Sequence, residues 1–77
     1  MLKKYDLLTF TDETKALVCA ATIYKDKEYV LTDEVLSDES DVLGNFQIYE
    51  VVSENEFQLV NNDYICGQLM KVFLRII

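Results

Sequence analysis

The sequence has no histidine, no proline and no tryptophan, and its two glycines, Gly44 and Gly67, lie far apart. Without histidine, Ser–His and Cys–His nucleophile pairs and the usual histidine-containing metal sites are excluded. The separated glycines exclude a glycine-rich phosphate loop. Two carboxylates can perform acid–base chemistry in a concave pocket, but a sheet protein of 77 residues rarely encloses one. We therefore predict a non-catalytic protein with no cofactor and no bound metal.

Cysteine is scarce, since Cys19 and Cys66 are the only two and form no Cys-x-x-Cys pair. A secreted domain of this size usually carries several disulfides, so we expect reduced, buried thiols in a cytoplasmic protein. A single disulfide between them is the alternative that the sequence leaves open. The longest apolar runs, such as "ALVCAATIY", are about half as long as a membrane-spanning helix, and no leader segment is visible. We expect a soluble protein that does not contact a membrane.

Positive charge is absent from the middle of the chain. Ten acidic residues and no lysine or arginine lie between Glu28 and Met70, and the net charge is −7. Direct binding to nucleic acid is not expected, because it needs a basic surface that displaces counterions. An acidic face can attract a basic protein partner, whereas the same charge can simply keep small apolar domains apart in solution.

Apolar residues make up 51% of the chain, which is enough for one folded domain over residues 1–77. Short β-branched and aromatic runs alternate with polar turns, a pattern typical of an antiparallel meander. We predict an α+β fold, with a four- to five-stranded antiparallel meander sheet and one C-terminal helix packed on a face. An open sheet and a sheet curled toward a barrel are both compatible with the pattern. The predicted strands are 5–11, 16–24, 29–35, 46–53 and 56–60, and the predicted helix is 62–75.

The predicted helix has a wider apolar face than packing on one sheet requires. Asn61 or Asn62 can cap its first amides, and Gly67 weakens it by about 0.8–1 kcal/mol relative to alanine. The excess apolar width predicts a second apolar contact, most simply with another copy of the chain, unless the helix end is exposed or frayed. The second strand is also apolar on both faces, as in a central strand covered on both sides or in an interface. The candidate residues for core and apolar interface are Leu69, Phe73 and Ile76, and the residues that widen the face are Cys66, Met70, Leu74 and Ile77.

The stretch "DEVLSDESDV" holds five carboxylates and no cation. An EF-hand loop that starts at Asp38 would need Asp or Asn at its third and fifth positions, where this chain has Ser40 and Val42. Weak surface binding of Ca²⁺ or Mg²⁺ by Asp38, Glu39 and Asp41 is an alternative. The simplest interpretation is a solvated loop between strands. The candidate acidic surface for a partner consists of Asp33, Glu34, Asp38, Glu39 and Asp41.

A resemblance to a known family rests on "YKDKEYVLTDEV", on the acidic loop after it and on "FQIYEVVSENEFQLVNN". With the Thr-Asp-Glu turn at residues 11–13, these segments resemble the YrzB-like family of small acidic bacterial proteins, which is classed as a domain of unknown function. The resemblance covers about residues 7–75, although the helix is apolar here and strongly acidic in the family. It implies a cytoplasmic bacterial or bacteriophage protein and supplies no catalytic residues.

Two functional hypotheses follow from the sequence. The first is a non-catalytic protein-interaction or regulatory module that associates with itself. The second is an acidic inhibitor that mimics nucleic acid and occupies the groove of a basic DNA- or RNA-handling protein. The second requires that eight carboxylates converge on one surface: Glu28, Asp33, Glu34, Asp38, Glu39, Asp41, Glu50 and Glu54.

Overall fold

The structure, a computed structural model, describes residues 2–10, 12–36, 41–54 and 56–76. Within these residues the chain forms five β-strands followed by one α-helix. The elements are β1 (Leu7–Thr9), β2 (Lys15–Tyr24), β3 (Lys27–Val35), β4 (Val42–Ser53), β5 (Glu56–Leu59) and α1 (Asp63–Ile76).

The strands form one antiparallel sheet in the order β1-β2-β3-β4-β5, which confirms the predicted α+β meander. Every strand differs from its predicted bounds by at least one residue, and the differences in β1 and β4 have a visible cause. β1 is shorter than residues 5–11 because Tyr5 has a φ of 77°, which interrupts an extended strand. β4 begins at Val42 rather than at residue 46 because Val42 pairs with Val35 of β3. The early start of β4 decides which part of its edge is left uncovered.

α1 covers one face of the sheet. Its fully buried residues Leu69 and Phe73 pack with Ala20, Leu31 and Ile48 from the three central strands. These side chains come from strands with alternating inward and outward residues and from a helix with apolar residues at three- and four-residue spacing. The core beneath α1 is therefore formed by the side chains that the periodicity places inward.

The bulge in β2 explains why this strand is apolar on both faces. Val18 is buried on the sheet face away from α1, whereas Ala20 is buried beneath α1. Residues two apart normally share a face, but the register shifts between Val18 and Ala20, so the chain gains one residue there. β2 is a central strand whose two faces contribute to two different clusters.

Aromatic residues curl the sheet on the face away from α1. The Phe10 ring, which follows β1, lies 4.9 Å from the Tyr49 ring of β4 and 6.0 Å from the Phe57 ring of β5, measured between centroids. β1 and β5 are the two edge strands of the sheet, so these contacts draw opposite edges toward each other. The sheet is curled rather than flat.

The helix begins where the sequence places its cap. The Ile65 amide donates to Asn62 Oδ1 at 3.1 Å, and the Cys66 amide donates to the Asn62 carbonyl at 2.9 Å. Asp63 in the first turn and Arg75 in the last turn have the charges that the helix dipole favours. In the part of the chain that the structure describes, no helix is both long enough and apolar enough to cross a membrane.

Candidate interaction surface

An apolar recess of about 380 Å³ lies between β4, the end of β5 and one side of α1. We call it the β4–α1 groove. None of the residues that line it is charged, although 27% of the chain is. The lining residues are Leu31, Phe46, Gln47, Ile48, Leu59, Val60, Cys66 and Met70.

The groove exists because β4 is much longer than its outer neighbour β5. β5 pairs with β4 from Tyr49 to Ser53, and the last bond on this side runs from the Val60 amide to the Ile48 carbonyl at 2.9 Å. Residues 42–47 of β4 extend beyond that bond. Ile48 uses its carbonyl toward β5, and main-chain groups alternate sides along a strand, so the amide and carbonyl of Phe46 point to the same outer side. Among the described residues, none pairs with the outer side of residues 42–47, and we call these residues the free edge of β4.

One side of α1 forms the wall of the groove. The Cys66 thiol donates to the Val60 carbonyl at 3.2 Å, which ties the helix to the end of β5. Met70 is half-buried and lies one turn further along. Leu74 follows at the same spacing and is 69% exposed. On the strand side, Phe46 is 58% exposed. The groove is therefore bordered by two large apolar side chains that face solvent.

Of the predicted core and interface residues, only Ile76 has an exposed side chain, and its contact with a partner stays a prediction. Leu69 and Phe73 are fully buried between α1 and the sheet, so they belong to the core and cannot contact a partner. Ile76 is 55% exposed. The helix side of the groove is instead formed by residues about a quarter-turn away from Leu69 and Phe73. Met70 and Leu74 lie on this side, and both were predicted to widen the apolar face of the helix.

Phe46 and Leu59 were not predicted as surface residues. Leu59 is 46% exposed and closes the β5 end of the groove. Strand propensity predicts both residues inside a sheet, and nothing in the local sequence shows that β5 stops before it reaches Phe46. A large difference between the predicted lengths of β4 and β5 would have indicated an uncovered edge. The predicted start of β4 at residue 46 made the two strands seem more similar in length than they are.

The described residues of the predicted acidic surface are not brought together, and Asp33 is the clearest departure. Asp33 is only 5% exposed and accepts a hydrogen bond from the Asn45 amide at 3.0 Å. It is buried because β3 continues through the acidic stretch to Val35 and directs Asp33 to the same face as Leu31. Asp33 therefore cannot belong to a surface that contacts a partner.

The other predicted carboxylates lie elsewhere. Glu34 follows Asp33 and therefore lies on the opposite face of β3, where its Oε1 accepts from Asn45 Nδ2 at 3.0 Å. Asp41 is exposed and its Oδ1 accepts from the Val42 amide at 2.8 Å. Asp38 and Glu39 lie outside the described residues. The described members of the set do not share one face.

The wider set needed by the inhibitor hypothesis is also dispersed. Glu50 lies on the α1 side, where its carboxylate is 3.6 Å from Lys27 Nζ. Glu28 lies on the other side and accepts from the Leu2 amide at 2.8 Å. Together with buried Asp33, these positions do not form the single acidic face that would imitate a nucleic-acid backbone.

The titratable groups with shifted pKa values lie outside the groove. Burial, and then the charge of Asp33, raise the pKa of the Cys19 thiol, while Lys4 partly opposes them. Burial, and then Asp12 and Glu34, raise the pKa of Tyr49. Hydrogen bonds from Thr14 lower the pKa of Asp12. Both cysteines are free thiols, which answers the question that their number left open.

Across the described ranges, no three His, Cys, Asp or Glu side chains are grouped closely enough to hold a metal ion. Comparisons of the chain with protein-family models, with curated proteins and with solved structures found no match. The similarity to the YrzB-like family therefore stays a prediction based on short motifs, and the site has to be interpreted from its own geometry.

Proposed function

We propose that this chain is a non-catalytic protein-interaction module and that the β4–α1 groove is its contact surface. The observation that supports this most is the uncharged groove, with the exposed side chains of Phe46 and Leu74 beside it. A contiguous apolar patch on a small acidic protein commonly marks a contact with another protein. A cytoplasmic location, where both free thiols stay reduced, is part of this proposal.

Covering this surface would bury apolar area and so favour association. Full burial of a leucine or phenylalanine side chain is worth about 1.5–3 kcal/mol, so covering the half-exposed Phe46, Leu59 and Leu74 gains about 1 kcal/mol each. The free edge of β4 adds main-chain donors and acceptors that a partner can satisfy. An acidic inhibitor is disfavoured, because the described carboxylates of its set lie on both faces of the sheet.

A site-specific cross-linking experiment tests the proposed function without assuming a partner. A photoreactive amino acid replaces Leu74 beside the groove, in cells that make the chain. The matched control replaces Tyr64, which is 72% exposed on the same helix and lines a different recess, beside Tyr24 and Lys25. We expect a covalent adduct from position 74 and much less from position 64. Equal yields from the two positions, or none from position 74, would contradict the proposal.

A further inference from the structure

We infer that the partner in the β4–α1 groove is a second copy of this chain, related by a two-fold axis that sets the two α1 helices side by side. This inference rests on the proposed function, because it names the partner of the same surface. It rests on three features of the groove: its uncharged lining, its shape and the free edge of β4 beside it.

The charge of the groove favours another copy over a strongly charged partner. Each chain carries a net charge of −7, so two copies repel each other wherever their carboxylates face. The lining of the groove has no charged side chain, so two copies can approach there without placing like charges in the contact. A cationic partner segment would find no carboxylate in the lining to pair with.

The shape of the surface allows a self-complementary contact. Phe46 lines the recess of about 380 Å³, and Leu74 lies one helical turn beyond the lining residue Met70, so helical spacing places its exposed side chain on the same side of α1. In a two-fold contact the same patch is used by both subunits, so a protruding residue of each copy can enter the recess of the other. One contact then covers the projections and the recesses of both chains.

The free edge of β4 fixes the direction of the contact. When two equivalent strand edges meet about a two-fold axis perpendicular to the sheet, they run antiparallel and keep both helices on one face. The helix sides that face each other are then those nearest β4, which carry Met70 and Leu74. Gly44, with a φ of 72°, lies in a β4 segment where the register shifts against β3. The regular free edge is therefore short, and the helix contact has to supply much of the buried area.

The required area is compatible with the size of the chain. A standard stable interface covers about 800 Å² on each partner, which is about 15% of the 5433 Å² surface of this chain. The groove with Phe46, and the neighbouring exposed residues of α1, are the surfaces that would supply this area. The arrangement also gives a physical reason for the wide apolar face of α1, since one side packs on its own sheet and the adjacent side packs on the second helix.

Sedimentation equilibrium of the purified chain tests the inference. We expect the mass to rise from 9.0 kDa toward twice that value as the concentration increases from about 1 to 500 µM. Leu74→Glu should weaken association by about 30-fold or more, because it places a carboxylate in an apolar contact. Tyr64→Glu changes the net charge equally, at a residue of similar exposure on the same helix, and should weaken it less than about threefold.

A second substitution keeps the test independent of folding defects. Phe46→Ser removes a side chain that is 58% exposed, so it should leave the circular dichroism spectrum and unfolding curve nearly unchanged while weakening association. Proline at the same position also removes the outward amide and should weaken association further than serine does.

Several results would overturn the inference. They are a mass of 9.0 kDa at every concentration, a dimer that Leu74→Glu leaves intact, and equal weakening by Leu74→Glu and Tyr64→Glu. A monomeric purified chain that still gives a position-74 adduct with a different protein would overturn the second copy as partner, and the proposed function would stand. The absence of any adduct from position 74 would contradict the proposed function itself.

Discussion

Neighbouring residues in this chain have opposite environments, and the contrast is sharpest in α1. Phe73 is fully buried and Leu74, the next residue, is 69% exposed. Both are large and apolar, so hydrophobicity alone cannot separate them. The 100° step between consecutive helical residues does, since Phe73 points into the sheet and Leu74 points past its edge. The candidate interface is therefore a property of single residues and not of the helix as a whole.

The same contrast holds for carboxylates. Asp33 and Asp41 belong to one acidic stretch, yet Asp33 is buried and Asp41 faces solvent. Burial of Asp33 is tolerated because the Asn45 amide donates a hydrogen bond to it. Its charge disfavours the thiolate of Cys19. A residue that the sequence placed on a partner surface instead affects a neighbouring thiol.

Substitution of Asp33 should change the pH dependence of Cys19 alkylation. In a Cys66→Ser background, Asp33→Asn keeps an oxygen to accept from Asn45 but removes one cause of the raised pKa of Cys19. We expect iodoacetamide to react about two- to fivefold faster near pH 8.5, because more thiolate is present. The substitution should only partly reverse the rise in the pKa of Cys19, because burial is the larger cause of that rise.

The matched control is Asp41→Asn, which removes the same charge at an exposed position and should leave the rate unchanged. Equal acceleration by both variants would contradict a specific effect of Asp33.

The raised pKa of Cys19 also sets the direction in which pH changes the stability of the fold. Because the pKa of Cys19 is raised in the folded state, the unfolded chain releases its proton first, and this group lowers the stability as pH rises above about 8.5.

At the scale of elements, strand length decides where the chain can be contacted. β4 spans Val42–Ser53 and β5 spans Glu56–Leu59, so β5 leaves the first part of β4 uncovered. The chain turns from β5 into α1 soon after Val60 and places the helix across the sheet. A longer β5 would have covered the free edge and filled the groove. The candidate surface thus results from a mismatch between two strands and not from a sequence motif.

The helix itself contains an avoidable weakness at Gly67. Gly67 is exposed within α1, and a Cβ atom built there meets nothing within 4 Å. Gly67→Ala should therefore raise the free energy of unfolding by about 0.8–1 kcal/mol, because alanine reduces the conformational freedom lost on helix formation. Urea unfolding followed by circular dichroism measures the change.

The control for this prediction is Gly44→Ala. Gly44 also has open space around its Cβ position, but its φ of 72° is costly for alanine, so the same substitution should destabilise the protein. If both substitutions changed stability in the same direction, backbone conformation would not be the deciding factor.

At the scale of the whole molecule, the sheet is held in its curled form by contacts between residues distant in the sequence. Phe10 lies against Tyr49 and Phe57, which join the first strand region to the last two strands. These contacts cover the sheet face away from α1, so both faces of β2 and β3 are packed in a chain of only 77 residues. Closure of this face is cooperative because one ring contacts two strands.

Removal of the Phe10 ring should loosen the edges of the sheet first. We expect Phe10→Ala to lower the free energy of unfolding by about 2 kcal/mol, less than for a fully buried phenylalanine because Phe10 is half-buried. Amide hydrogen exchange should accelerate more in β1 and β5 than in β3. Leu7→Ala, at a 43% exposed site in β1, is the control and should cost much less. Uniform acceleration across the sheet would contradict the proposed role of Phe10.

Local sequence patterns are enough to predict the order and type of the elements. Alternating apolar strands, polar turns and a capped helix are local patterns, so the meander, the Asn62 cap and the burial of Leu69 and Phe73 could be predicted from neighbouring residues alone. The excess apolar width of α1 was also readable, because helical spacing assigns Met70 and Leu74 to one side. These features depend on interactions over at most a few turns.

Other features depend on how distant segments pack together and could not be predicted from local patterns. The burial of Asp33, the bulge in β2, the curl through Phe10 and the uncovered edge beside Phe46 all depend on pairing between distant segments. Local propensity is nearly the same for a covered and an uncovered strand residue, so it cannot distinguish them. The groove is therefore absent from any single stretch of sequence and appears only when β4, β5 and α1 are packed together.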